Sequence, residues 1–295
     1  MAKIKEIRNR IKSVKATHKI TSTMEMVAAG RMKRAMNRML ESRPFMEGFT
    51  DIVGELVAGG DLPDHPLLAE PKETRREAVV VLSSNRGLCG AFNTNIFRRC
   101  MEEVRRIRDE GREVEIHTFG KKVSSLLRFQ GEAVHAVGEL PDRPVFADAE
   151  RIEDALVDRF QAAPEERVDR VTIIFARYKS ALQQPPESMQ LLPIDPSAGK
   201  LEEPGAAAVG DVTIYSPERA SIFTALLPLY LRSMVLQALL ETTSSEQVAR
   251  RNAMKNATEN AEDMIKNLTR KPNKVRQAPI TRELAEIVGG AQAVS

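Results

Sequence analysis

Apolar residues recur at steps of three and four at both ends of the chain, and in short runs between them. Over residues 1–57, Ile4, Ile7, Ile11 and Val14 begin a stripe. Ala28, Met32, Ala35, Met39, Met46, Phe49, Val53 and Leu56 continue it in the same seven-residue phase. That spacing predicts one amphipathic helix, roughly 80–90 Å long at ~1.5 Å per residue. His18, Thr21 and Glu25 occupy the phase between the two halves, and Ile20, Met24 and Val27 form a second apolar set one position off. Such an offset predicts a local change in winding. Residues 216–295 predict a second long helix. Ser216 suits its cap, Pro217 its first turn, and Glu218 the positive end of its dipole. Its apolar face runs Ile222, Leu226, Leu229, Leu236, Leu240, then thins to Met254, Ala257, Ala261, Met264 and Leu268. A helix of that length needs a long partner, and the two chain ends can meet only as an antiparallel coiled coil.

Between the helices the periodicity changes. Residues 58–77 hold Gly59, Gly60, Pro63, Pro66 and Pro71 and read as a linker. Residues 78–215 alternate strands and helices. Ala78–Ser84 is a valine-rich buried strand, Asn85–Gly90 a turn, and Asn93–Glu110 a helix with Ile96, Cys100, Val104 and Ile107 inward. Glu113–Thr118, Ala133–Val137, Val168–Tyr178, Met189–Ile194 and Asp211–Tyr215 read as further strands, with helices near Lys121–Phe129 and Ala149–Phe160. This order predicts an α/β domain, Rossmann-like, with a mostly parallel sheet. The last two strands have no helix between them, which predicts one antiparallel edge. Residues 195–210 read as a loop.

Charge alters the picture at one end only. The formal net charge is +3, yet residues 1–50 carry twelve Lys or Arg against four Glu. A basic rod can face nucleic acid, a membrane surface or an acidic protein, or be a solvated face. Interleaved aromatics and nucleic-acid-binding motifs are missing from it, which argues against nucleic acid. Cys89 and Cys100 are the two cysteines; their spacing suits neither a metal site nor a disulfide framework. The amino end lacks the apolar core of a signal peptide, and Arg232 breaks the greasiest stretch, so no transmembrane span is expected.

The stretch Ser83–Asn93 is the candidate for chemistry, a strand–turn–helix at the end of a sheet strand. Gly87 and Gly90 would let backbone approach a phosphate beside Arg86, and Cys89 would sit where a nucleophile sits on a tight turn. The stretch matches neither a dinucleotide fingerprint nor a P-loop. His18, His65, His117 and His135 form no motif with Cys89, so catalysis there is not the favoured reading. Polar residues in the helical phase, such as His18, Thr21, Glu25, Ser233, Thr243, Gln247 and Arg250, suit a rod that faces several protein surfaces or water. They also suit an irregular coil whose polar positions set specificity.

Three stretches together resemble one family along essentially the whole chain. They are Ile11–Ala29 (IKSVKATHKITSTMEMVAA), Asn85–Asn93 (NRGLCGAFN), and the pair Ser245–Thr258 (SEQVARRNAMKNAT) and Asn273–Val288 (NKVRQAPITRELAEIV). The chain is similar to the gamma subunits of F-type ATP synthases. The resemblance implies a non-catalytic rotor shaft, without cofactor, inside a hexamer of alpha and beta subunits. Its α/β domain would stand against epsilon and the membrane c-ring, peripheral on the cytoplasmic face of the cell membrane. Proton flow would turn it, and the basic amino end would attract an acidic rim on beta. By the same resemblance, Arg276, Gln277, Thr281 and Glu286 would contact beta, Met24 would lie at a hinge packed on that signature, and Arg86, Gly87 and Cys89 would approach the beta rim. A looser match places a ring-facing foot near Tyr215–Arg219. Arg251 stands where the family often has methionine, and Pro272 and Pro279 are expected to interrupt the last helix. A static coiled-coil scaffold with an α/β head is the alternative.

Overall fold

A computed structural model describes residues 2–58, 65–71, 73–195 and 218–292, with side chains for 5–57, 65–71, 73–195 and 218–270. Helix α1 spans Ala2–Ala58 and α5 spans Arg219–Gln292. Between them lie β1 (Arg76–Leu82), α2 (Phe92–Asp109), β2 (Glu113–Phe119), α3 (Lys121–Phe129), β3 (Val134–Gly138), α4 (Phe146–Phe160), β4 (Arg170–Ala176) and β5 (Pro186–Leu192). The chain divides into two compact units, Gly30–Ala249 and the pair Met1–Ala29 with Arg250–Ser295.

The larger unit is built on a five-stranded sheet in the order β3-β2-β1-β4-β5. β1 pairs parallel with β2 and β4, and β2 pairs parallel with β3. The antiparallel edge is β4 with β5, Ile173 opposite Met189. The strand expected at Asp211–Tyr215 lies outside the described residues.

Alternation along β1 fills two cores. Val79 and Val81 face α2 and α3, packing on Ile96, Cys100, Val104, Ile107, Val123 and Leu127. Ala78, Val80 and Leu82 face the other way, onto Ile152 and Leu156 of α4 and onto Phe223, Leu227, Leu231, Val235 and Leu239 of α5. Val53 and Leu56 of α1 join that second core. The apolar stripe of α5 is therefore buried by the sheet as well as by α1, and a long partner helix is not its only cover. Of the expected stripe, Ile222, Leu226 and Leu236 pack half-buried on that core and Leu240 is buried. Phe223, Leu227 and Leu231 are sealed, whereas Leu229 is 40% exposed. A stretch of Arg219–Arg270 is long and apolar enough to cross a membrane, contrary to expectation. Phe223, Leu227, Leu231, Val235 and Leu239 of that stretch lie in the sheet core, and Arg232 is tied to Glu150 of α4 at 2.7 Å.

Within this unit α1 and α5 run antiparallel. Phe49 stacks on Tyr230 at 6.3 Å, while Ala35 and Gln247 line one cleft. Along α1 the phase does not shift. Ile7, Ile11, Val14, His18, Thr21, Glu25 and Ala28 are each buried or half-buried, and Ala35, Met39, Met46, Val53 and Leu56 follow at the same repeat. The offset set is not a second seam, since Ile20 and Val27 are 60% and 54% exposed. A polar residue at a paired position costs less than shifting every following side chain off the seam.

In the smaller unit the two chain ends pair through small and polar residues. The hydroxyls of Thr21 and Thr258 meet at 3.0 Å, and Ala28, Met254 and Ala261 are buried. Met264 is 45% exposed, and the half-buried position beside it is Ile265. Helix α5 runs through Pro272 and Pro279 without interruption. Each proline deletes one donor, at about 3 kcal/mol, and the bonds of flanking turns keep the helix in register.

Candidate functional site

The turn after β1 is held by its own polar side chains. Ser83 and Ser84 are both fully buried. The Ser83 N–H donates to Phe119 O at 2.8 Å, extending the β1–β2 ladder by one residue. The Ser84 hydroxyl donates to Arg86 O at 2.6 Å, and the Ser84 N–H donates to Asn93 Oδ1 at 3.2 Å. Asn93 Nδ2 donates to Cys89 Sγ at 3.1 Å. Asn85 reaches the other way, giving Nδ2–H to Leu140 O at 2.8 Å and taking the Leu140 N–H at 3.1 Å. The turn is thus clamped on both sides before it opens at Arg86–Leu88.

Its tip is made by backbone rather than by chemistry. Leu88 has φ 65° and Gly90 φ 59°, both left-handed. For leucine that conformation is uncommon, and it holds the side chain 59% exposed. Cys89, by contrast, is 2% exposed and points inward onto Ser84 and Asn93. Serine and asparagine are not general bases, so these two contacts do not activate the thiol. Cys100 sits deeper, and burial pushes its thiol up to about 12, which keeps it inert. Of the three turn residues named from sequence, Arg86 and Gly87 lie at the open tip and Cys89 supports it. Leu88 was missed, because exposure of a leucine is set by backbone twist rather than by residue type.

Groups capable of acid–base work lie elsewhere. His117 of β2 stacks on His135 of β3 at 5.1 Å, with Glu115 Oε2 at 3.4 Å from its Nε2. Burial lowers the His117 pKa, the nearby His135 and Arg159 lower it further, and Glu115 opposes them. At the amino edge of the sheet, Glu77 is 1% exposed and is gripped by Arg106 at 3.2 Å and by Arg112. Burial alone would raise Asp169, but the N–H groups of Arg75 and Arg76 and the Arg167 guanidinium hold it below the usual carboxylate range. These are structural networks. Among the described residues, no group of three or more His, Cys, Asp or Glu is placed to hold a metal ion.

The third set belongs to the long helices. From Ala238 to Val248, α5 is buried on every side, although most of that stretch is polar. Glu241 Oε2 accepts the Tyr178 N–H at 3.1 Å, Thr242 Oγ1 accepts the Ala176 N–H at 3.3 Å, and Ser245 Oγ donates to Ala176 O at 3.1 Å. The polar run is where the helix is stitched to the end of β4. Its all-polar composition inside an apolar helix was the signal for this. In the smaller unit Met24 is half-buried, and Ile20, Met26 and Val27 present apolar surface outward at 60%, 66% and 54% exposure. The side chains of Arg276, Gln277, Thr281 and Glu286 lie outside the described residues, as does Tyr215; the backbone of 276–286 is part of α5.

The family model described as ATP synthase matches residues 3–294. The ATP synthase gamma chain of Gemmatimonas aurantiaca is 41% identical over 295 residues, covering 100% of this chain and 99% of the relative. That of Frankia casuarinae is 40% identical, covering 99% and 98%. Among solved structures, the rotor of the Euglena gracilis mitochondrial ATP synthase matches with TM-score 0.62 at 21% identity, over 95% of this chain and 99% of the other. A chain of the Tetrahymena thermophila mitochondrial ATP synthase central stalk and c-ring matches with TM-score 0.56 at 26% identity, over 81% and 99%. Identity near two in five over the full length, with the family model matching residues 3–294, means that this chain belongs to the family of ATP synthase gamma chains.

Proposed function

We propose that the chain is the central rotor shaft of a proton-driven ATP synthase. Proton flow turns the membrane ring of c subunits, and the chain turns with it. Its uneven surface then carries the three beta subunits of the alpha–beta hexamer in sequence through their nucleotide-binding states. The chain itself makes and breaks no covalent bond. It works peripherally on the cytoplasmic face of the cell membrane, with epsilon beside its α/β domain.

One observation carries this reading. The two ends of the polypeptide pair with each other through Thr21 and Thr258, while Ile20, Met26 and Val27 are left facing outward on the same stretch of α1. Two joined helices resist twisting better than one. An outward face of small apolar contacts can slide past equivalent neighbours without strong commitment to any of them. The basic amino end adds attraction to an acidic rim on beta, which steers without fixing shape.

Within this reading Arg276, Gln277, Thr281 and Glu286 form the contact with beta, Met24 supports it as a hinge, and Arg86 and Gly87 meet the beta rim with Cys89 behind them. Gln277→Leu tests the first assignment. The assembled complex should hydrolyse ATP more slowly by about tenfold, the effect of one lost hydrogen bond to a charged group. Assembly itself should be unchanged. Wild-type turnover and coupling in that variant would remove Gln277 from the contact. Purification distinguishes the static scaffold: a rotor comes out in a fixed ratio with nucleotide-binding subunits, a scaffold does not.

A further inference from the structure

The larger unit contains a cleft of about 150 Å³ lined by Arg31, Arg34 and Arg38 of α1, by Asp142 and Arg143 in the loop before α4, and by Gln247 of α5. Four guanidinium groups therefore line the cleft beside a single carboxylate. Arg31 Nη1 stands 3.8 Å from Asp142 Oδ2, a contact in which the Asp142 side chain remains 62% exposed. Arg34, Arg38 and Arg143 make no ion pair with another described residue. Like charges three and four positions apart on a helix repel, so the spacing 31, 34, 38 works against the fold unless something negative is gathered there.

A second feature points into the same cleft. Gln247 is 4% exposed, and its Oε1 has no hydrogen-bond partner among the described residues. A half-turn of the amide would offer its N–H2 instead. A buried amide left unpaired is costly, and a polar ligand would remove that cost.

The residue types select the ligand. Arginine presents a planar fork of donors that fits carboxylate or phosphate oxygens in pairs. A carboxylate offers two oxygens, and Asp142 already supplies that. A tetrahedral oxyanion of higher charge offers more acceptors and matches the surplus of positive charge. The volume is well under the ~300–1,000 Å³ of pockets that enclose whole organic ligands, so no nucleoside fits. We propose that this cleft binds a phosphate-type oxyanion, free phosphate or pyrophosphate, between the forks of Arg34, Arg38 and Arg143, with the Gln247 amide at its floor. The inference stands apart from the rotor reading.

Calorimetric titration of the full chain with phosphate and with pyrophosphate, at low ionic strength, tests it. One saturable site is expected, and adenosine gives no heat. Arg38→Gln and Arg143→Gln should each weaken binding about tenfold, as loss of a charged hydrogen-bond partner does. Arg128→Gln, on the exposed side of α3, should change nothing. Gln247→Leu should weaken binding while the ligand-free chain melts no earlier than wild type, because the variant removes an unpaired buried atom. Absence of a saturable site would overturn the proposal. So would equal weakening by Arg128→Gln, which would mean diffuse charge attraction only, or full binding retained by Arg38→Gln and Arg143→Gln.

Discussion

At Gly120 the backbone and the sheet leave no room for a side chain. Its φ is 103°, and a Cβ there would come within 2.0 Å of Ser83 O. The Ser83 carbonyl cannot retreat, because Ser83 is buried and its N–H is bonded to Phe119 O. Gly120→Ala should lower unfolding stability by about 3 kcal/mol or more, from combined strain and overpacking. A urea titration of the variant checks this, and a loss below about 1 kcal/mol would mean the loop adjusts freely. His117 gives the residue scale a second handle. Burial and the neighbouring His135 depress its pKa in the folded chain, so the unfolded chain binds the proton more tightly. The contribution is fully present above the unfolded value of about 6.5 and is lost as pH falls through the lower folded value. Melting temperature should therefore drop more between pH 7.5 and pH 5 in the wild type than in His117→Phe. Parallel pH curves for the two would reject the role of His117.

At the scale of elements, the polar run of α5 makes opposite predictions at adjacent positions. Thr242 is fully buried and accepts the Ala176 N–H, so Thr242→Val leaves that donor unpaired and should cost about 1–3 kcal/mol. Ser244 is equally buried, but its hydroxyl has no partner among the described residues. Ser244→Ala should leave stability unchanged or raise it by about 1 kcal/mol. Denaturation of the two variants side by side decides the point, and equal losses would contradict the stitching role of Thr242. The elements also show which sequence signals are legible. Helix α3 spans Lys121–Phe129, where the sequence predicts a helix. The valine run of β1 and the length of α1 were equally plain. Single positions on α5 were not, since Leu229 and Met264 are large and apolar yet face outward. Residue type says what burial would contribute, not which side of a helix a neighbour occupies. Thr21 was placed in the phase of α1, but Ile20 and Val27, apolar and one position off, pointed to a change of phase that their exposure rules out.

For the whole molecule, the pairing of the two chain ends was legible from matching stripes, and the family from motifs spread along the full length. The burial of α5 by the sheet was not legible, because it depends on contacts between residues far apart in the chain, such as Val80 with Leu231 in one core. The candidate site was half legible. Arg86 and Gly87 are at the open tip, but Cys89 is inward and the exposed Leu88 depends on a backbone twist that no spacing reports. In the proposed function this chain turns as one body while its neighbours hold still. Both native thiols are buried, Cys89 at 2% and Cys100 at 0% exposure, so a cysteine placed at the exposed Arg128 is the site a label will take. A bead fixed there, on an assembled complex whose hexamer is anchored to glass, reads the motion directly. ATP should drive the bead round in one direction with three resting positions per turn. A bead that stays still while the same complexes hydrolyse ATP would contradict it.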